Sequence, residues 1–273
     1  MMYEYWKYAL TGNRLGLRLL NQFQYSWRDN KSLFKDRRYF YEVFKPYTAF
    51  EMFTRRELRQ KPFLLDYVFS KNPDYVFLKK YRSRNGEGLV KQPLDFFHPK
   101  SLLHYMKWNK LEYLEFPVFQ DQSMDIIAPK GINTINVLSY SDDELTGEVL
   151  AASLQLSSFS CLDSLGAGGI WVNLNPKFGY ALEKGKQVFP RPRTHQKHPL
   201  TAISIENFSL DEWDSIVDQV FMIHSKLDLR GLYTFEMVFQ DGEARLLDLR
   251  GIESIPSWLS LGDLDLLKEV LPV

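Results

Sequence analysis

The stretch DYVFLKKYRSRNGEGLV, residues 74–90, decides how this chain is read. Its first half is β-branched and aromatic and follows the breaker pair Asn72-Pro73, so Asp74 to Lys80 is expected to be a strand. Lys79 stands at the end of that strand, and glycines follow it seven and nine residues later, at Gly86 and Gly88. A lysine supplies a compact positive charge, and glycines let backbone N–H groups approach oxygen closely, which suits a polyphosphate. Arg82 and Arg84 add charge to the loop. It is not a Walker A loop, because no Gly-Lys-Ser/Thr ending is present. A plain basic hairpin loop is the competing reading.

On the N-terminal side, residues 1–60 read as helical. KDRRYFYEVF, residues 35–44, spaces Tyr39, Phe40, Val43 and Phe44 as a helix face, and Pro46 ends it. Leu64 to Phe69 forms a further short helix, and His104 to Leu111 another. From Leu114 onward strands dominate: Leu114 to Gln120, Ile132 to Tyr140, Glu148 to Leu156 and Gly169 to Leu174. Residues 183–199 read as a polar loop. Ser209 to Glu212 has the form of a capping box, opening an amphipathic helix to about Leu227. A hairpin turns at Asp241-Gly242, and a C-terminal helix is expected over Leu264 to Leu271. Helices early and mostly antiparallel strands later make an α+β chain.

The hairpin carries two acidic residues, Glu236 and Asp248. Carboxylates on neighbouring strands can hold Mg²⁺, a hard cation that takes oxygen ligands. If Asp241-Gly242 is a tight two-residue turn, 236 pairs with 247 and the carboxylates face opposite sides of the sheet. A longer loop or a bulge pairs 236 with 248 and puts both on one side. Solvated strand carboxylates are the alternative. Asn133-Thr134, after Pro129, could orient phosphate or substrate at a strand start, although such residues more often satisfy a local turn. Arg191, Arg193, His195 and His198 make a basic loop broken by Pro192 and Pro199, and with no cysteine near it zinc is not expected there. His224 falls inside the amphipathic helix and reads as structural.

Composition sets outer limits. Cys161 is the single cysteine among 273 residues, so no intrachain disulfide forms. The start of the chain lacks a basic segment followed by an apolar run, and no apolar stretch reaches the roughly 18 residues a membrane span needs. A cytoplasmic protein is therefore expected. The net charge of zero hides an asymmetry: residues 1–110 hold 22 Lys and Arg against 10 Asp and Glu, and the remainder holds 12 against 24. A basic half could meet nucleic acid or a nucleotide's phosphates. The aromatics do not form an RNA-binding pattern, which argues against nucleic acid.

Taken in order, these blocks resemble the sugar-transfer-associated ATP-grasp family over roughly residues 33–255. Lys35 is similar to the family's early lysine, and Lys79 with Gly86 and Gly88 to its strand lysine and phosphate-covering loop. Glu115 and Gln120, followed by Pro129 and Asn133-Thr134, resemble its hinge and its Asn-Thr-Ile block. Gly168-Gly169-Ile170 with Gly179 resembles its Gly-Gly-Ile segment, and His198-Pro199 its His-Pro block. Glu236, Gly242 and Asp248 fall where its last two metal-binding strands lie.

The resemblance implies an ATP-grasp fold, two α+β subdomains gripping a nucleotide. Residues 1–60 would be a helical N-terminal segment, 61–120 the small lid subdomain, and 121–273 the C-terminal subdomain with the metal strands. ATP would be held by Lys35, Lys79, Arg84, Gly86, Gly88, Glu115 and Asn133, and Mg²⁺ by Glu236 and Asp248. Beside what the resemblance implies, Arg250 and Arg193 are the candidate catalytic cations: Arg250 either turns to hold phosphate or substrate carboxylate, compensating for the arginine missing at 136, or weakens metal binding. The implied activity is carboxylate–amine ligation through an acyl phosphate, in surface polysaccharide or cell-envelope synthesis. Its substrates would be small or glycan-linked acids and amines. A degenerate nucleotide binder that partners a glycosyltransferase system is the alternative, and a basic nucleic-acid-binding module a third. Four positions depart from the family's pattern: Glu236 stands where aspartate is usual and Asp248 where glutamate is, which keeps a ligand at each but shifts it by about one methylene, and the other two change the residue's character. Asn136 stands where arginine usually follows the Asn-Thr-Ile block, and Arg250 stands where the late metal strand usually has asparagine.

Overall fold

Asp36 opens the described chain as a helix cap: its carboxylate accepts hydrogen bonds from the backbone N–H groups of Arg38 and Tyr39. The computed structural model describes residues 36–81, 88–142, 144, 147–158 and 168–251. Lys35 and the C-terminal helix expected over Leu264 to Leu271 lie outside them. The described residues fall into two units divided between Phe119 and Gln120.

In the smaller unit, α1 (Arg37–Phe44) buries Phe40, Tyr41 and Phe44, and ends just before Pro46. The stretch expected to be wholly helical then contains a strand, β1 (Met52–Thr54). Thr54 and Glu57 form a reciprocal capping box that starts α2 (Arg55–Gln60). Next comes α3 (Pro62–Lys71), with proline in its first turn and left-handed Asn72 at its end. It leads to β2 (Tyr75–Lys79), and Lys80 N–H bonds the Gly88 carbonyl beside β3 (Leu89–Pro93). The following helix, α4 (Pro99–Trp108), begins five residues before the expected one, because Pro99 suits a helix start. Then β4 (Tyr113–Glu115) completes a four-stranded sheet ordered β1-β4-β2-β3.

Alternation along β2 sorts its side chains. Val76 and Leu78 are fully buried with Leu58, Val68, Leu102, Met106 and Leu114. Each such side chain contributes roughly 1.5–3 kcal/mol by leaving water. Phe77 and Lys79 therefore point to the opposite side of the sheet, where Phe77 pairs with Glu115 and Lys79 with Tyr113.

The larger unit is built on a seven-stranded antiparallel sheet. Its strands are β5 (Thr134–Ser141), β6 (Gly147–Leu156), β7 (Ile170–Leu174), β8 (Gly185–Gln187), β9 (Arg193–His195), β10 (Gly231–Gln240) and β11 (Glu243–Gly251). Their spatial order is β11-β10-β5-β6-β7-β8-β9. Residues 183–199, expected as a loop, thus supply two short strands, β8 and β9. The short α5 (Gln122–Ile127) precedes β5. The long helix α6 (Trp213–Lys226) buries Trp213, Ile216, Val220, Ile223 and His224 and packs against β11. Its cap is Glu212 with no side-chain hydrogen bond, so the expected capping box is not made; Ser209 instead bridges to Tyr180. No helix among the described residues is long and apolar enough to cross a membrane.

The hairpin turn is tight, with Asp241 at φ 55 and Gly242 at φ 77, and Gln240 pairs directly with Glu243. Both central residues are left-handed, as a type I′ turn requires. Space around Gly242 is open, so Gly242→Ala meets only the backbone cost. It should destabilise by about 1–2 kcal/mol, checked by urea unfolding.

His224 is fully buried between Ser139 and the chain after α6. Its Nδ1 lies 2.7 Å from the Leu229 carbonyl and Nε2 2.8 Å from Ser139 Oγ. A carbonyl only accepts, so Nδ1 carries the hydrogen and Nε2 of the neutral ring accepts from the hydroxyl. Burial pushes the pKa of His224 below its ordinary 6.5, and it does the same to His198. The unfolded chain therefore takes up protons first as pH falls. Stability should be full above about pH 6.5 and decline as pH falls through 6.5 toward the lowered folded values, by about 1.4 kcal/mol per unit of depression. Thermal melts between pH 7.5 and 5 check this, and His224→Gln should flatten part of the slope.

Candidate functional site

In the smaller unit, Lys79 and Glu115 lie diagonally across neighbouring strands on the side of the sheet away from the core. The Lys79 ammonium is hydrogen-bonded to one Glu115 carboxylate oxygen, and Arg37 Nε is 3.5 Å from the other. The Glu115 side chain is only 5% exposed, so its charge is held by these two cations rather than by water. Arg37 also lies 4.4 Å from the centre of the Phe50 ring, which fixes its approach. Sequence reasoning passed over Arg37. Its signal was a second cation in KDRR, next to the lysine that the resemblance favoured.

Gly88 has φ 77, and a Cβ there would come within 3.1 Å of the Lys80 side chain. The position therefore favours glycine on both backbone and packing grounds. Lys35, Arg84 and Gly86 lie outside the described residues.

Asn133 opens the larger unit's sheet but does not face outward. It is fully buried; its amide donates to the carbonyls of Met124 and Ala128, and its Oδ1 accepts from Ser157 N–H. Both of its donors are spent on the backbone, so it acts as a loop staple. The structure places this candidate nucleotide ligand inside the unit, with its side chain turned to the backbone. Likewise Arg193 lies on edge strand β9, whereas Arg250 lies on β11 at the other edge of the sheet. The structure does not bring these two candidate catalytic cations together.

The late carboxylates do come together. A register shift between Glu236 and Met237 pairs Met237 with Leu246 but Glu236 with Asp248, leaving Leu247 as the extra residue. The turn is the tight kind that would separate the two acids, and the bulge restores them to one side. Arg250, two residues on, shares that side. Its Nε donates to Asp248 Oδ2 at 2.9 Å and its Nη2 to Glu236 Oε2 at 3.1 Å. Asp248 first, and Glu236 after it, raise the guanidinium's pKa further, so it stays charged.

From Glu236 a polar row runs across the sheet through Asn136, Ser153 and Asn173, each the direct neighbour of the last. These three are buried, and Asn136 Nδ2, Ser153 Oγ and Asn173 Oδ1 have no hydrogen-bond partner among the described residues. The next row, Phe235, Val137, Ala152 and Leu174, is apolar and buried. The signal in the sequence was polar residues at alternate positions inside otherwise apolar strands, as in INTINVL and AASLQL.

A sequence profile of sugar-transfer associated ATP-grasp proteins matches residues 111–249, half of the chain. The chain belongs to this family. It accordingly has the α+β ATP-grasp fold, with its two sheets in separate units. The matched part takes in Glu115, Glu236 and Asp248 and stops one residue short of Arg250. Among solved structures, this ATP-grasp chain is similar to N5-carboxyaminoimidazole synthetase from Staphylococcus aureus, determined with ADP. The identity is 11% and the TM-score 0.46, over 82% of this chain and 46% of that one. It is similar to D-alanine–D-alanine ligase from Bacillus anthracis at 11% identity and TM-score 0.44, over 86% of this chain and 66% of that one. An L-amino acid ligase from Bacillus licheniformis matches at 11% identity and TM-score 0.44, over 81% of this chain and 41% of that one. The chain spans less than half the length of the first of the three. No curated protein matches it.

For Mg²⁺, two carboxylates completed by substrate phosphates are an ordinary donor set. Here that set is engaged: one guanidinium bonds both acids, and no group of three His, Cys, Asp or Glu gathers among the described residues. With Arg250 in place, the residues do not fit a divalent cation.

Proposed function

We propose that this chain binds ATP and joins a carboxylate to an amine through an acyl phosphate. The observation that carries the reading is the family match, which takes in the seven-stranded sheet as far as residue 249, with Glu236 and Asp248 on it. Lys79, set at a strand end by its bond to Glu115, would meet nucleotide phosphate as a positioned charge. The substrate carboxylate oxygen would attack the γ-phosphorus and release ADP. The amine nitrogen would then attack the acyl carbon, lose a proton and expel phosphate. Acids and amines of surface polysaccharide or cell-envelope synthesis are the proposed substrates, and a glycosyltransferase system the proposed partner. ATP should raise the melting temperature by several degrees at saturation. No shift with any nucleotide would sink this reading.

Arg250 favours a second reading. A guanidinium that bonds both late carboxylates is what a nucleotide binder without ligase activity could keep. ADP release only when a candidate acid and amine are both present distinguishes the ligase from the binder.

A further inference from the structure

We propose that Arg250 takes the place of a divalent cation, neutralising the Glu236–Asp248 pair and offering its free edge to a nucleotide phosphate, so that nucleotide binds without a metal at this pair. The proposal rests on the nucleotide-binding reading above. Three features support it. The bulge at Leu247 sets Glu236 opposite Asp248 and Thr234 opposite Arg250, so both acids and the guanidinium occupy one side of the hairpin. The Nε and Nη2 donors, which form one edge of the guanidinium, are spent on the two acids. Nη1 and the second Nη2 hydrogen, on the other edge, make no hydrogen bond to the described residues, and the Arg250 side chain is 67% exposed. A planar fork with one edge anchored and the other open is a preorganised phosphate donor.

Charge points the same way. The two carboxylates together carry two negative charges, which a divalent cation would balance. With Arg250 bonded to both, a metal ion would have to break two charge-assisted hydrogen bonds and then sit beside a cation that cannot deprotonate. The neighbour of Glu236 on β5 is the neutral Asn136.

Titrating Mn²⁺ into the nucleotide-free protein, read by electron paramagnetic resonance, tests the metal's place without any turnover. The intact protein should bind Mn²⁺ no better than its Glu236→Gln variant. Arg250→Gln should bind Mn²⁺ at least tenfold more tightly, and that gain should vanish in Arg250→Gln/Glu236→Gln. Arg250→Lys keeps the charge and should show no gain, which guards against a folding defect in the glutamine variant. Thermal shift supplies the nucleotide arm: ATP should stabilise the intact protein equally in EDTA and in Mg²⁺. Arg250→Gln should lose at least tenfold in ATP affinity in EDTA and recover it with Mn²⁺. Mn²⁺ binding by the intact protein that depends on Glu236, or no gain in Arg250→Gln, overturns the proposal. If no nucleotide stabilises the protein under any condition, the nucleotide reading fails, and the Mn²⁺ arm still decides whether Arg250 holds the metal's place.

Discussion

Lys79→Met should cost about 3 kcal/mol of stability and abolish stabilisation by ATP. The two effects have different causes. Glu115 is almost completely buried, and its carboxylate is shared between Lys79 and Arg37. Methionine keeps the apolar stem but removes the ammonium, so a buried charge is left with Arg37 at 3.5 Å as its remaining ion pair of these two. Breaking one partner of a buried pair is far more costly than replacing both. The double variant Lys79→Met/Glu115→Gln should therefore regain much of the lost stability while still showing no ATP shift. Urea unfolding with and without ATP reads both quantities. A Lys79→Met protein that retains the full ATP shift would show that Lys79 serves only the Glu115 pair.

Gly179→Ala should be of similar size, about 3–4 kcal/mol, or roughly 10 °C in melting temperature. Gly179 has φ 71, and a Cβ built there would lie 2.6 Å from both Cβ and Cγ of Trp213. The Cβ of Trp213 is fixed by the backbone, so no rotamer change moves it away. Trp213 is 3% exposed and begins α6, whose buried side packs against the sheet. The turn itself is held by Asn175, whose side chain accepts from the N–H groups of Lys177 and Phe178, and whose carbonyl accepts from Gly179 N–H. The new methyl group therefore forces either the turn or the helix start to shift. Thermal denaturation checks this, and a melting temperature within 2 °C of the parent would contradict the close approach.

Local chemistry made much of the fold legible. Breakers at Asn72-Pro73 and Pro46, alternation in Tyr75–Lys79 and the 3.6-residue spacing of Ile216, Val220 and Ile223 are properties of the chain within a few residues. The strand at Met52–Thr54 was missed because three residues give too short a pattern, and its partner β4 lies about sixty residues away. The burial of Asn133 is illegible in the sequence for a related reason. A polar residue at a strand start looks the same whether its amide meets a ligand or the carbonyls of Met124 and Ala128.

The strand carrying Lys79, the Asp241-Gly242 turn and the positions of the late carboxylates on its two strands were determined by the sequence, because each depends on residues close together in the chain. Only the tertiary structure decided that Glu236 and Asp248 share one side and that Arg250 lies across them. Side chains in a strand alternate with a period of two, so the single extra residue at Leu247 reverses every side chain beyond it. That bulge is set by pairing across the sheet, and no run of letters near Asp248 announces it.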